Sequence, residues 1–329
     1  MLTELIAQIL PALGLAQKQD IQIAARHLGQ FVPHNQTSEP IALGDDCAAI
    51  PDGEGYLLLA AEGLWPPLVE ADPWFAGWSA VLVNVSDIYA MGGRPLAVVD
   101  ALWSPTTDHA DAIWQGMLAA SQAFNVPIVG GHTNCHSPYN ALSVAILGRA
   151  NQLISSFAAQ PSQMLVLATQ LNGQLHPQYP FWDGATQADP AELQRQLAVL
   201  PAIADQGLCS AGKDVSMGGI LGTTLMLLET SGCGAVVDVA AIPCPDSVPL
   251  ETWLRCFPSY GFLLTVEPQD FAPVQQQFQA VGITCVAMGK IVAAPQLTLT
   301  YGDETAVFWD FSTQPLTGFS PSNAAITEP

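Results

Sequence analysis

Apolar positions recur along this chain with two distinct periods, and those periods place most of its elements. Residues 3–30 carry apolar side chains at helical spacing (Leu5, Ile6, Ile9, Leu10, then Ile21, Ile23, Ala24, Leu28), and a break at Pro11 to Gly14 predicts two short helices. The apolar runs at 41–43 and 56–61 predict strands on either side of the loop Gly44-Asp45-Asp46-Cys47-Ala48-Ala49. Trp74, Trp78, Val81, Val85 and Ile88 then recur at steps of three and four residues. At about 100° per residue they stay in one stripe, which predicts a helix closed by Gly92-Gly93 and Pro95, with Asn84 and Asp87 to one side of the stripe. A buried strand at 96–102, an amphipathic helix at 109–124, a strand at 126–129, the segment Gly130-Gly131-His132-Thr133 and a strand at 142–147 follow.

Around 150–163 the pattern weakens, which divides the chain into an N-terminal domain (1–153), a C-terminal domain (154–312) and a polar tail (313–329) expected to fray. The second domain reads as a strand at 164–168, a turn-rich stretch at 170–190 and a helix at 190–206. Lys213-Asp214-Val215-Ser216-Met217-Gly218-Gly219 opens another helix, to about Ser231. Strands near 235–239, 262–266 and 296–300 and a helix at 271–281 complete it. Strands and helices alternate irregularly, so the expected class is α+β rather than a doubly wound sheet.

Composition adds limits. Of 329 residues half are hydrophobic and 11% charged, enough apolar material for two packed cores. With 29 acidic against 8 basic residues the net charge is −21, which argues against nucleic acid and anionic membrane surfaces as partners. No apolar run approaches bilayer-spanning length, Met1 to Leu5 lacks a basic leader region, and the seven cysteines form no C-x-x-C pair. A reduced, cytoplasmic protein is the expectation.

The acids are the notable chemistry. Asp45-Asp46 sits in a glycine-led turn, Glu62 follows an apolar run, Asp87 lies in an apolar helix and Asp214 precedes a glycine-rich helix start. A carboxylate beside a buried stripe is costly unless paired or metal-bound, and cations are scarce in this chain. Divalent metal held by oxygen ligands is the simplest arrangement that keeps such groups together. Arg94, Arg149 and Lys213 stand against these segments, though each could equally snorkel at an element end. Two other readings fail. Residues 207–213 nearly spell a phosphate-binding loop, but Asp214 stands where a Ser or Thr should hold Mg²⁺. His132, Cys135 and His136 match no common zinc spacing.

In order, these segments resemble the AIR synthase-related superfamily, which includes aminoimidazole ribonucleotide synthetase, thiamine-monophosphate kinase, selenophosphate synthetase, HypE and formylglycinamide ribonucleotide amidotransferase. Gly44-Asp45-Asp46-Cys47-Ala48 resembles the kinases' Gly-Asp-Asp-Ala segment. Residues 84–95, from Asn84-Val85-Ser86-Asp87 to Gly92-Gly93-Arg94-Pro95, resemble the N-x-S-D-x-x-A-M-G-x-x-P signature. Gly130-Gly131-His132-Thr133 corresponds to a Gly-Gly-Asp/Glu/His-Thr/Ser turn, and Asp214-Val215-Ser216 to a D-[VI]-[ST] segment.

The resemblance implies a homodimer in which N-terminal strands pair with a second subunit to form a barrel, with a C-terminal α+β domain closing over the nucleotide. It also implies ATP, Mg²⁺ and a small-molecule acceptor. Asp45, Asp46, Asp87 and Asp214 match metal or nucleotide ligands, and Glu62 falls where the kinases carry Asp. Asn84, Ser86, His132 and Thr133 are the nucleotide-side candidates within the matching segments. Gly92, Gly93, Gly130, Gly131 and Gly218 would let backbone N–H groups approach phosphates, Ser216 would add a donor, and Lys213 or Arg149 would stabilise transition-state charge. The chain departs from the kinases at His132 and Met217, where they carry Asp. A catalytically degenerate dimeric scaffold is therefore the alternative to an enzyme.

Overall fold

A computed structural model describes residues 2–28, 41–257 and 261–321. The first half runs α1 (Leu2–Ile9), α2 (Leu13–Leu28), β1 (Ala48–Asp52), β2 (Gly55–Gly63), α3 (Pro66–Ala71), α4 (Pro73–Ala90), β3 (Arg94–Trp103), α5 (Thr107–Phe124), β4 (Ile128–Asn134) and β5 (Ala141–Ala150). Its five strands form one sheet in the order β1-β2-β5-β3-β4.

Strand alternation gives this sheet two unlike faces. Leu58, Ala60, Val98, Leu102, Val144 and Ile146 point inward and are buried with the apolar sides of α4 and α5. Leu59, Val99, Val129 and Leu147 point outward, and Leu59 and Val129 remain 48% and 62% exposed. Helix α4 begins where the sequence signals it. Pro73 occupies the first turn and the Asp72 carboxylate accepts from Phe75 N. Its Trp74–Ile88 stripe packs on α5 and the sheet, and the second half of the chain covers most of the remainder.

The second half contains β6 (Met164–Thr169), a short hairpin β7 (Gln174–Leu175) and β8 (Trp182–Asp183), α6 (Pro190–Leu197), α7 (Val199–Asp205), β9 (Ala211–Asp214), α8 (Gly219–Ser231) and β10 (Gly234–Asp238). It continues with α9 (Leu250–Trp253), β11 (Gly261–Val266), α10 (Phe271–Gln279), β12 (Thr284–Val292), β13 (Gln296–Tyr301) and β14 (Glu304–Asp310). The main sheet runs β14-β13-β10-β12-β6-β11-β9. The architecture is a mixed α+β fold with one sheet in each half, and neither sheet closes into a barrel among the described residues.

Several expectations give way to the structure. Residues 41–43 are not a strand; the first strand is Ala48–Asp52, paired antiparallel with β2. The segment 130–133 is extended inside β4 rather than a turn. The helix expected over 190–206 is two helices meeting at Ala198. The first helix, counted with the N-terminal domain, buries Leu2, Leu5 and Ile9 in the core of the second half. The start of the tail is not frayed. Leu316 and Phe319 are buried, and the buried Glu229 carboxylate accepts from the backbone N–H groups of Leu316 and Thr317, both at 2.7 Å, and Gly318 at 3.2 Å. Residues 29–30 of the predicted helical region and 322–329 of the predicted tail lie outside the described residues.

Candidate metal and substrate site

The acid loop is built first. Gly44 adopts φ +110°, open to glycine, and a Cβ there would lie 2.6 Å from the Phe319 ring, so the tail and the loop fit only without a side chain. The loop turns the Asp45 carboxylate toward residues 155–156, where it accepts from Ser155 Oγ at 2.7 Å and Ser156 N at 3.0 Å. Lys213, buried on β9, places Nζ 3.9 Å from Asp45 and in direct contact with Asp46 Oδ1. Strand β9 pairs with β11, Lys213 opposite Leu263 and Asp214 opposite Phe262, which fixes both side chains beside the loop.

Helix α4 supplies the other wall. Asp87 is 6% exposed and Asp214 3% exposed. One oxygen each from Asp46, Asp87 and Asp214 lies within 4.8 Å of the others, the group of metal-ligand side chains found among the described residues. Asp46 Oδ2 and Asp87 Oδ2 are buried and accept no hydrogen bond. Oxygen ligands of a hard divalent cation sit about 2.0–2.6 Å from it, so three oxygens at this separation need only a small closure to share an ion or flank a pair. Two orphaned buried acceptors and an oxygen-only donor set therefore fit Mg²⁺.

The electrostatics agree with that fit. Burial, with Asp214 and Asp45 nearby, pushes Asp46 up to about 7 despite Lys213. Burial raises Asp87 well above the usual carboxylate range, and Asp214, Glu62 and Asp46 add to it. Burial alone would lower Lys213, but Asp46 and Asp45 hold it above its ordinary value. Glu62, at the end of β2, is raised by desolvation and partly relieved by Lys18 of α2. One lysine does not neutralise this many acids, and a divalent cation would complete the balance.

Two spaces are bordered by members of this acid group. A groove of about 350 Å³ is lined by Asp45, Cys47, Tyr56, Met91, Leu153 and Ser155. A cavity of about 250 Å³ contains Glu62, Asp87, Asp214 and Ser216 together with Lys18, Trp65 and Phe181. Asp45 thus borders a nucleoside-sized groove, and Glu62, Asp87 and Asp214 border a second cavity.

The remaining candidates are placed differently. Asn84 is fully buried, its amide donating to Ala80 O at 2.8 Å, with Oδ1 unpartnered. Ser86 faces a separate apolar cavity of about 60 Å³ between the halves, with Leu82, Phe124 and Phe262. The Gly92 and Gly93 amides are engaged in the turn closing α4, donating to Tyr89 O and Ile88 O. Gly218 caps α8, and a Cβ on Gly14 would lie 1.9 Å from Met217 O, so α2 presses on that helix start. Gly130, Gly131, His132 and Thr133 lie on the far edge strand. Across the sheet Glu62 opposes Val144, Val144 opposes Asp100 and Asp100 opposes Gly131. Three strand spacings, roughly 14 Å, separate Gly131 from Glu62. Arg149 is also set apart. It lies five residues along β5 from Val144, roughly 17 Å, and its guanidinium pairs with Asp52 at the surface.

Sequence reasoning did not single out Ser155, Ser156, Trp65 or Phe181. It also missed Asp100, which is buried with both carboxylate oxygens unpartnered and its pKa raised by burial. Only Lys18 carried a signal, as one of eight basic residues.

Comparison with known proteins extends these observations. The chain is 57% identical over 321 residues to the uncharacterised protein sll0787 of Synechocystis sp., covering 97% of this chain and 99% of that one. It is 26% identical to the selenide, water dikinase of Aeromonas salmonicida, over 78% of this chain and 79% of the relative. Its fold is similar to T. maritima PurL complexed with ADP, with TM-score 0.72 and 18% identity over 94% of this chain. The chain spans about half of that protein, 52%. It is also similar to AaThiL complexed with AMPPCP and TMP, with TM-score 0.62 and 18% identity over 82% of this chain and 92% of that one. Residues 44–150 match the family described as AIR synthase related protein, N-terminal domain, and residues 163–302 match its C-terminal domain; the chain belongs to the AIR synthase-related family.

Proposed function

We propose that this protein catalyses an ATP-dependent, Mg²⁺-requiring phosphoryl transfer to a small molecule. One observation carries the reading: the oxygens of Asp46, Asp87 and Asp214 converge within 4.8 Å, with Asp87 and Asp214 open to one cavity and the neighbouring Asp45 to a groove. Asp46, Asp87 and Asp214 would hold the metal, with Asp45 and Glu62 at its two flanks. Bound Mg²⁺ supplies charge neutralisation and alignment of the polyphosphate, on which phosphoryl transfer chiefly depends. The groove along Asp45, Tyr56, Met91 and Leu153 takes the nucleoside, and the cavity with Glu62 and Ser216 takes the acceptor. Lys213 balances Asp45 and Asp46 while the site is metal-free, and afterwards remains a buried cation next to the phosphates.

The relatives support this reading, since a selenide, water dikinase is among them and a fold neighbour is complexed with AMPPCP. We further infer a homodimer formed through the exposed apolar outer face of the N-terminal sheet, at Leu59, Val99, Val129 and Leu147. A cytoplasmic location accords with seven free cysteines. Among the described residues no helix is long and apolar enough to cross a membrane.

Titration calorimetry with Mg-AMPPNP tests the site. Binding that requires Mg²⁺ and disappears in Asp87→Asn supports it; no heat up to ~1 mM nucleotide defeats it. The scaffold reading draws on the internal placement of the Gly92 and Gly93 amides and on Met217. It predicts no acceptor-stimulated ATP hydrolysis.

A further inference from the structure

The acceptor-side cavity is not closed at its outer end. A second cavity of about 180 Å³ shares Trp65, Phe181 and Met217 with it and ends at Arg255 and Tyr179. Together they make one passage from Glu62, Asp87 and Asp214, past aromatic walls, to a guanidinium. The walls come from both halves of the chain. Trp65 precedes α3, Tyr179 and Phe181 lie on the connection between β7 and β8, and Phe257 follows α9. They hold one another edge-on: Trp65 to Tyr179 at 4.9 Å and 79°, Trp65 to Phe181 at 6.2 Å and 81°, and Phe181 to Phe257 at 5.8 Å and 77°. Such packing fixes the ring planes before any ligand arrives.

Charge marks the two ends. In a chain with 8 basic and 29 acidic residues, a cation borders each cavity, Lys18 beside Glu62 and Arg255 at the outer end. Arg255 uses Nε on Glu251 O at 2.9 Å and forms no ion pair among the described residues. A guanidinium with no carboxylate partner among the described residues of so acidic a protein, at the mouth of an apolar passage, is placed to receive an anion from outside.

We infer that the phosphoryl acceptor is a flat, ring-bearing small molecule with an anionic group at the end remote from its reacting atom. The ring lies against Trp65 and Phe181, the anion meets Arg255, and the reacting atom reaches the acid cluster. The inference rests on the phosphoryl-transfer reading for which end reacts, whereas the passage itself is a binding site in its own right.

The test uses three probes of similar size on the full chain with Mg-AMPPNP present: phenylacetate (flat ring and anion), cyclohexylacetate (anion, ring not flat) and 2-phenylethanol (flat ring, no anion). Binding is followed by calorimetry. Phenylacetate is expected to bind most tightly, with cyclohexylacetate weaker by roughly fivefold and 2-phenylethanol by roughly tenfold. Arg255→Gln should remove the advantage of phenylacetate over 2-phenylethanol while keeping its advantage over cyclohexylacetate. Trp65→Leu should do the reverse, and Trp65→Phe should retain both. Arg195→Gln, the same charge change on exposed α6, should alter neither. Equal affinities for the three probes, no binding of any up to ~10 mM, or a uniform loss in Arg255→Gln overturns the inference. Mg-AMPPNP binding, measured on the same unmodified protein, reports separately on the phosphoryl-transfer reading. Failure there with probe selectivity intact sinks that reading and leaves the passage standing.

Discussion

Asp45 and Asp87 border the same site yet live in opposite circumstances. Asp45 is fully provided for, by Ser155, Ser156 and Lys213, and would keep its geometry in an empty protein. Asp87 is equally buried, has an oxygen with no donor, and is surrounded by Asp46, Asp214 and Glu62. The first arrangement is architecture, in which the acid loop is tied to the start of the second half. The second is a tolerated strain that only an incoming cation or a proton relieves. Within one cluster, then, some acids build the site and others wait for its ligand.

The largest effect should come from removing the cation that separates the two sets. Lys213→Met leaves Asp45 and Asp46 as buried charges without compensation, and should cost about 3–5 kcal/mol in urea unfolding of the metal-free protein. Millimolar Mg²⁺ should recover part of it. A variant as stable as the parent would mean that Asp45 does not depend on Lys213, and the contrast would dissolve.

Asp87→Asn should act in the other sense. Removing this proposed metal ligand should weaken Mg-AMPPNP binding by about 100-fold or more, roughly 3 kcal/mol, while the metal-free melting temperature rises because one repelling acid is gone. A fall in that temperature would show Asp87 to be structural.

The pH dependence follows from the sign of the shifts. Asp46 in the folded protein titrates near 7, above its ordinary 3.8, and Asp87 is raised in the same direction. Their protonated forms therefore stabilise the fold fully below the unfolded value, and this contribution is lost as pH rises through about 7. Metal-free stability should fall between about pH 4 and 8, by at most about 1.4 kcal/mol per pH unit for each group. Saturating Mg²⁺ should flatten the slope, and a metal-free curve already flat would contradict the assignment. The smallest effect sharpens the Asp45 side: Ser155→Ala removes one hydrogen bond to a carboxylate and should cost about 1 kcal/mol by thermal melting, with little change in the pH slope.

The helix α4 stripe was legible because five apolar side chains keep one phase over four turns, and Asp87 stands out as the one acid beside it. Strand β9 was not legible. Lys213-Asp214 reads as the opening of the helix that runs to Ser231, but the helix starts only at Gly219, and Asp45 and Asp46, far away in sequence, neutralise the lysine and allow it to be buried in a strand. The pair Gly130-Gly131 reads as a turn because the segment resembles the family's Gly-Gly-Asp/Glu/His-Thr/Ser turn. In the structure Gly131 is extended, and a Cβ there would lie 1.9 Å from Asp100 Oδ1. It is glycine to make room for a neighbouring strand's side chain, a reason that no local window contains. The aromatic passage was legible only in part: the turn-rich stretch 170–190, with Tyr179, reads as lining for an acceptor pocket, whereas Trp65 and Phe257 belong to other segments that meet it only when the chain packs.

The short stretch from Pro315 to Phe319 reaches three parts of the molecule at once. Its carbonyls take the amide of Gln22 on α2, its amides fill Glu229 on α8, and its phenyl ring lies against Gly44 at the head of the acid loop. It works as a keystone laid last. A polypeptide released from synthesis before Pro315 would have both halves in hand yet lack the piece that ties α2, α8 and the acid loop together, so shortening this end should disturb the acid cluster without touching one of its side chains.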